Sequence, residues 1–204
     1  MSRYEATGSQ AEFEPGSDDR VLQNHLGISD PAEMDHVELL LLEQLYLAVF
    51  EEEFPDRRLA VTDLRRWHHQ WLGNVYPWAG EQRTVNLSKG SFHFASVAQI
   101  PRLLDDFQKR CLDRFTPAHE MEGKSLSEAI AITHVELVLI HPYREGNGRL
   151  ARLLADVMSV QAGYDLLDYQ GWDQEKDLYF AAIQQGLSGD YREMIGLVRA
   201  ALSG

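Results

Sequence analysis

His141-Pro-Tyr-Arg-Glu145-Gly146-Asn147-Gly148-Arg149-Leu-Ala-Arg152 places an imidazole, a carboxylate, a glycine-flanked turn and two guanidinium groups within twelve residues. Each part suits a different piece of a nucleoside triphosphate. The neutral imidazole of His141 is a suitable base for a hydroxyl at physiological pH. Glu145 is a hard oxygen ligand, and one carboxylate plus phosphate oxygens is the usual way to hold Mg²⁺. Gly146 and Gly148 free the backbone for a turn whose N–H groups can cradle an anion at a helix start, and Asn147 adds an amide donor. Arg149 and Arg152, three apart, share one helix face and can both reach a polyphosphate tail. Cations early in a helix oppose its macrodipole, so an anion between them would explain their presence.

Blander readings of each part stand beside these. A Gly-Asn-Gly by itself is a turn. A histidine after an apolar helix serves equally as a cap or a packed ring. Arg149 and Arg152 can pair with a carboxylate such as Asp156 instead of phosphate.

The rest of the chain must position this segment. Its 204 residues suffice for one well-buried domain with a short appendage. A formal net charge of -13 argues against direct nucleic-acid binding, which needs clustered Lys and Arg. Cys111 is the only cysteine, which excludes an intrachain disulfide and a cysteine zinc site. The polar first ten residues lack an apolar signal core, and the greasiest run, 37–50, is broken by Glu38 and Glu43. A cytoplasmic protein with no membrane partner is expected.

Residues 1–20 read as an extended or loosely docked arm, and 21–204 as the domain. Asp30-Pro31-Ala-Glu33 signals a helix running to about Glu53. Thr62 is expected to cap a second helix through Trp67 and Trp71, closed at Gly73, with His68 and His69 on its surface. Arg83-Thr84-Val85-Asn86-Leu87 alternates as a strand, Ser88-Lys89-Gly90-Ser91 turns, and Phe92-His93-Phe94 returns. A helix from Ser96 or Pro101 to about Phe115 follows, then one from the Ser125–Glu128 capping box to Ile140. Further helices are expected over 147–161, stopped by Gly163, and over 174–186 and 190–202. The fold class is therefore all-α, a helical domain with one small β-hairpin.

The segment 141–152 resembles the signature of the Fic (fido) domain family, His-x-Phe-x-(Asp/Glu)-Gly-Asn-Gly-Arg-x-x-Arg. Every fixed position matches except the aromatic, which is Tyr143 here. The resemblance extends through Tyr76-Pro-Trp-Ala-Gly80 and the hairpin over about 20–200. It implies a protein adenylyltransferase that moves AMP from ATP onto a Ser, Thr or Tyr hydroxyl of a target protein, releasing pyrophosphate. It further implies His141 as general base and Glu145 as the Mg²⁺ ligand. Gly146, Asn147, Gly148, Arg149 and Arg152 would hold phosphates, and Tyr143 would anchor the loop. The hairpin from Arg83 to Phe94 resembles the family's flap, which pairs with target backbone as an added strand.

Fic proteins are commonly held off by a glutamate in a (Ser/Thr)-x-x-x-Glu-(Gly/Asn) helix that pairs with the second arginine, here Arg152. Ser29-Asp-Pro-Ala-Glu33 comes close, but Met34 follows. A separate small antitoxin supplying that helix is therefore expected. The competing expectations are a nucleotide-binding module without turnover, and transfer of a different nucleotide or phosphoryl group. The Gly146-x-Gly148-x-x-Ala151 spacing of a dinucleotide fingerprint lacks the surrounding βα repeats. His134, His141 and Glu145 lack the spacing of a known zinc motif, and His134 is expected to pack beside the loop.

Overall fold

The structure, a computed structural model, describes residues 5–6, 10 and 12–203. Of the expected arm, residues 1–4, 7–9 and 11 lie outside the described residues. The chain divides into two compact units: residues 1–54, 62–101 and 141–146 in one, and 55–61, 102–140 and 147–204 in the other.

In the first unit, helix α1 (Pro31–Leu47) starts as its sequence predicts. The Asp30 carboxylate accepts the N–H groups of Ala32 at 2.8 Å and Glu33 at 2.9 Å, satisfying two of the donors a helix start exposes. A π-helical turn over Ala48–Glu52 carries it to the expected end near Glu53. Glu38 is buried on α1; its carbonyl accepts Trp71 Nε1–H at 2.9 Å and its carboxylate accepts the Tyr76 hydroxyl at 2.7 Å. Helix α2 (Val61–Leu72) buries Trp67 and Trp71. Two expectations fail on it. Thr62 lies inside the helix, because the Gln108 side chain, not a local cap, accepts the Val61 N–H at 2.8 Å. His68 is fully buried, not on the surface.

The hairpin is real but shifted. Strand β2 is Leu87–Lys89 and β3 is Phe92–His93, with Ser88 opposite His93 and Lys89 opposite Phe92. The turn is therefore Gly90-Ser91, and Gly90 at φ +58° supplies the positive first torsion that a tight two-residue hairpin needs. Residues 83–86 stay out of the ladder because the Arg83 side chain draws the carbonyl of Val85 to itself at 2.6 Å. Strand β1 (Glu5–Ala6) pairs antiparallel with β2, so the sheet order is β1-β2-β3. Residues 13–22 close on themselves, with Phe13 bridged to Leu22 and Val21 buried. Within the described part of the arm, Ser17 is buried and its hydroxyl donates to the Val21 carbonyl at 3.3 Å.

In the second unit, α3 (Ile100–Phe107, from Arg102 onward), a π turn over Gln108–Leu112 and α4 (Asp113–Phe115) complete one expected helix. Helix α5 (Gly123–Ile140) is apolar nearly all round and packs against α6 (Asn147–Gln161) and α9 (Arg192–Ala201). It opens two residues before Ser125, whose hydroxyl reaches back to accept the Glu122 N–H at 3.1 Å. Helix α6 has the predicted limits; Gly163 at φ +82° ends it, and Tyr164 N–H returns to the Ser159 carbonyl at 3.1 Å. The Gln161 amide accepts from Ala118 and donates to the carbonyls of Pro55 and Arg57. Helix α7 (Gln170–Gln174) is too short to leave a periodic signal and was not expected; α8 (Lys176–Gln185) follows it. Cys111 is buried, and burial above all pushes its thiol up to about 12.

His134 is buried between α5, α6 and α8. The Ala151 carbonyl can only accept, so Nδ1 carries the hydrogen at 3.2 Å, and Nε2 accepts from the Tyr179 hydroxyl at 2.8 Å. Burial is the main cause that lowers its pKa to about 4. The unfolded chain takes up this proton near pH 6.5, whereas the folded chain refuses it until about 4. Stability therefore falls as pH drops through that window, by up to about 3 kcal/mol. Urea titrations at intervals from pH 7 to 4 are expected to show this fall, and His134→Gln to flatten it; an equally steep fall in the variant contradicts the assignment.

Candidate active site

The loop His141–Gly146 belongs to the first unit and runs directly into α6, whose first residue, Asn147, belongs to the second. His141 adopts φ +51°, a left-handed conformation uncommon for a residue with a side chain. It is 2% exposed, and its ring stacks on Phe94 with centroids 3.8 Å apart. The base expected from sequence therefore stands beneath the foot of the hairpin.

Three side chains distant in sequence hold this loop. Arg83 is buried; its Nε donates to the His141 carbonyl at 2.7 Å and its main-chain N–H to that of Pro142 at 2.8 Å. The remaining guanidinium nitrogens donate to the Val85 and Ala95 carbonyls. Burial, with the neighbouring Arg144, brings its pKa down to about 10, so the group stays charged at neutral pH. His68 is the second. Its Nδ1 accepts the Gly80 N–H at 2.8 Å, so Nε2 carries the hydrogen and donates to the Glu145 carbonyl at 3.0 Å. The same ring stacks on Tyr143, 4.1 Å between centroids and 13° from parallel. Tyr143 is buried, and burial raises its phenol well above the usual range. The third is Trp71, against which Gly146 lies: a Cβ there would stand 2.7 Å from Trp71 Cζ3.

The Glu145 carboxylate accepts the Gly146 N–H at 2.9 Å. No group of three or more His, Cys, Asp or Glu able to hold a metal occurs among the described residues. This donor set fits a magnesium completed by phosphate and water oxygens, and does not fit zinc in a protein cage. His134, moreover, is committed to Ala151 and Tyr179 in the second unit. A Cβ on Gly148 would meet nothing within 4 Å, so its space is open to a ligand.

On α6, Asn147 is buried and Arg149 half-buried. Arg152 makes a two-pronged pair with Asp173 of α7, at 2.7 Å and 3.3 Å. Its guanidinium carbon stands 4.7 Å from the Tyr169 ring centre and 5.8 Å from that of Trp172. Asp156, a possible partner by sequence, accepts from Leu167 N–H and the Tyr169 hydroxyl. Sequence spacing gave no hint of Asp173, because the helix that carries it was not expected.

The expected flap residues divide in role. Arg83 and Val85 are buried, Thr84 N–H donates to the Gln10 side chain, and the Asn86 side-chain Oδ1 accepts Val97 N–H. Leu87 and Ser88 are buried, and Lys89, Gly90, Ser91 and His93 are exposed, with Phe92 and Phe94 between. The structure thus brings Arg83 and Phe94 to His141, and leaves the tip of the hairpin in solvent. Among the described residues the sheet is antiparallel, and no βαβ unit of the dinucleotide-binding kind occurs.

The Fic/DOC family pattern matches residues 58–159, half of the chain. The chain is 27% identical over 199 residues to "Probable protein adenylyltransferase y4lH" of Sinorhizobium fredii, covering 98% of both. It resembles the crystal structure of the N-terminal FIC domain of Bep8 from Bartonella sp. 1-1C with a TM-score of 0.76 and 21% identity, covering 90% of this chain and 91% of that one. It resembles BepC from Bartonella tribocorum, solved with bound AMPPNP, with a TM-score of 0.71 and 20% identity, covering 88% and 91%. These two likenesses establish the fold.

Gly146 at φ +80° faces Trp71, so a methyl there meets both backbone strain and the indole. Gly146→Ala is expected to destabilise the protein by about 1–3 kcal/mol in urea titration. An unchanged midpoint would show that the loop yields freely.

Proposed function

Because the chain belongs to the Fic/DOC family, we infer that it is a protein adenylyltransferase, transferring AMP from ATP to a hydroxyl of a target protein. The observation that carries this is the unbroken segment from His141 to Arg152 in a member of that family. Residues 21–204 are read as the Fic domain, acting in the cytoplasm.

In this reading His141 takes the proton of a Ser, Thr or Tyr hydroxyl as its oxygen bonds to the α-phosphorus. The bond from that phosphorus to the bridging oxygen breaks, and pyrophosphate leaves. The Gly146-Asn147-Gly148 turn cradles the phosphates, and Arg149 and Arg152 take charge on the leaving group. Arg152 already meets Asp173 with two of its nitrogens; its five donors let a phosphate share it. Glu145 would hold the magnesium, which when bound neutralises phosphate charge.

The hairpin presents target backbone to His141. Because β1 covers one side of β2, the added target strand takes the outer edge of β3. Inhibition comes from a small antitoxin, since no segment of the chain completes the inhibitory glutamate pattern.

Incubation with α-labelled ATP, magnesium chloride and bacterial lysate tests the activity. Label is expected on protein, no label from γ-labelled ATP, and a loss of about 10²–10⁴-fold in His141→Ala. Chelation of magnesium is expected to stop transfer. Undiminished labelling by His141→Ala, or labelling only from the γ position, overturns the reading.

A further inference from the structure

The hairpin and the loop that carries His141 share one buried cation. Arg83 precedes the hairpin and is 1% exposed. Its guanidinium donates to Val85 at the entry of the hairpin at 2.6 Å, to Ala95 at its exit, and to the His141 carbonyl at 2.7 Å. Its own N–H adds a fourth bond, to the Pro142 carbonyl at 2.8 Å. Phe94, whose ring lies on the imidazole, is the residue before Ala95. One side chain therefore fixes the main chain that carries His141 and the aromatic ring that covers it. A planar fork with five donors can span three carbonyls, which a lysine ammonium at the end of a flexible stem cannot.

We propose that Arg83 is a positioning residue for the transfer reaction: it locks both ends of the hairpin to the main chain of His141, and so sets where the imidazole stands and what covers it. This rests on the reading of His141 as the base. It moves Arg83 from the target-binding surface to the support of the catalytic loop. Lys89 to His93 remain as the part that meets a target.

Diethyl pyrocarbonate modification, followed residue by residue by mass spectrometry, tests this in the full chain. In the wild type, His141 is expected to react at least tenfold more slowly than exposed His36, and buried His134 to stay unreacted. In Arg83→Lys, His141 is expected to react at least fivefold faster, with His36 and His134 unchanged. In the labelling assay the same variant is expected to lose at least tenfold in transfer at saturating ATP, while the Kd for magnesium ATP moves less than twofold. Arg83→Gln provides a second variant.

His141 protected as in the wild type, or His134 becoming reactive together with it, overturns the proposal, because Arg83 then only supports the fold. So does a parallel loss of ATP binding and transfer. Hydrogen exchange of the wild type decides the matter even if neither variant folds. The Arg83 and Phe94 amides, bonded to the Pro142 and Leu87 carbonyls, are expected to exchange within threefold of each other; a hundredfold gap refutes the clamp. Full transfer by His141→Ala would sink the base assignment while leaving the modification result standing.

Discussion

A loop that joins two helices leaves its carbonyls and N–H groups without helical partners, and when it is buried those groups must be satisfied from elsewhere. In this chain Arg83 and His68 take that duty for His141, Pro142 and Glu145. Much else in the first unit follows from it. The arginine needs three carbonyls within reach, which brings the ends of the hairpin to the loop. The histidine needs an N–H for its other nitrogen, which brings Gly80. Its ring then supplies a flat surface for Tyr143. The left-handed torsion of His141 is held from several directions, as a strained residue must be.

The second unit answers a different demand. The chain as a whole is negative, and Arg152 is a positive charge that has to be held locally. Arg152 is held by a carboxylate on one side and by the faces of Tyr169 and Trp172 on another. Together these contacts hold the guanidinium in one place and remove much of its side-chain freedom. The Asp173 carboxyl is held below its ordinary range chiefly by its hydrogen bond with Arg152, so the pair stays charged at neutral pH.

How far residues could be read in advance depends on the range of the force that placed them. Asp30-Pro31 and Gly163 announce helix ends through local hydrogen bonding and torsion, and the structure agrees with both. The segment 141–152 was legible because its residue types and spacing are unusual together. The hairpin was legible in kind but misplaced by several residues, because alternation in 83–87 says nothing of a side chain that folds back onto its own main chain. His68 looked like a helix surface residue; only partners far along the chain, Gly80 and Glu145, make it an interior one. Asp173 and the β1 pairing likewise depend on contacts that no local pattern encodes.

The solitary thiol of Cys111 has a practical bearing. Enclosed, and almost wholly protonated at neutral pH, it offers little nucleophile to maleimides or iodoacetamides. A cysteine introduced at the solvent-facing tip of the hairpin would thus carry a spin label or fluorophore with a quiet background. Motion of that ribbon could then be followed in the natural protein without first removing a native sulfur.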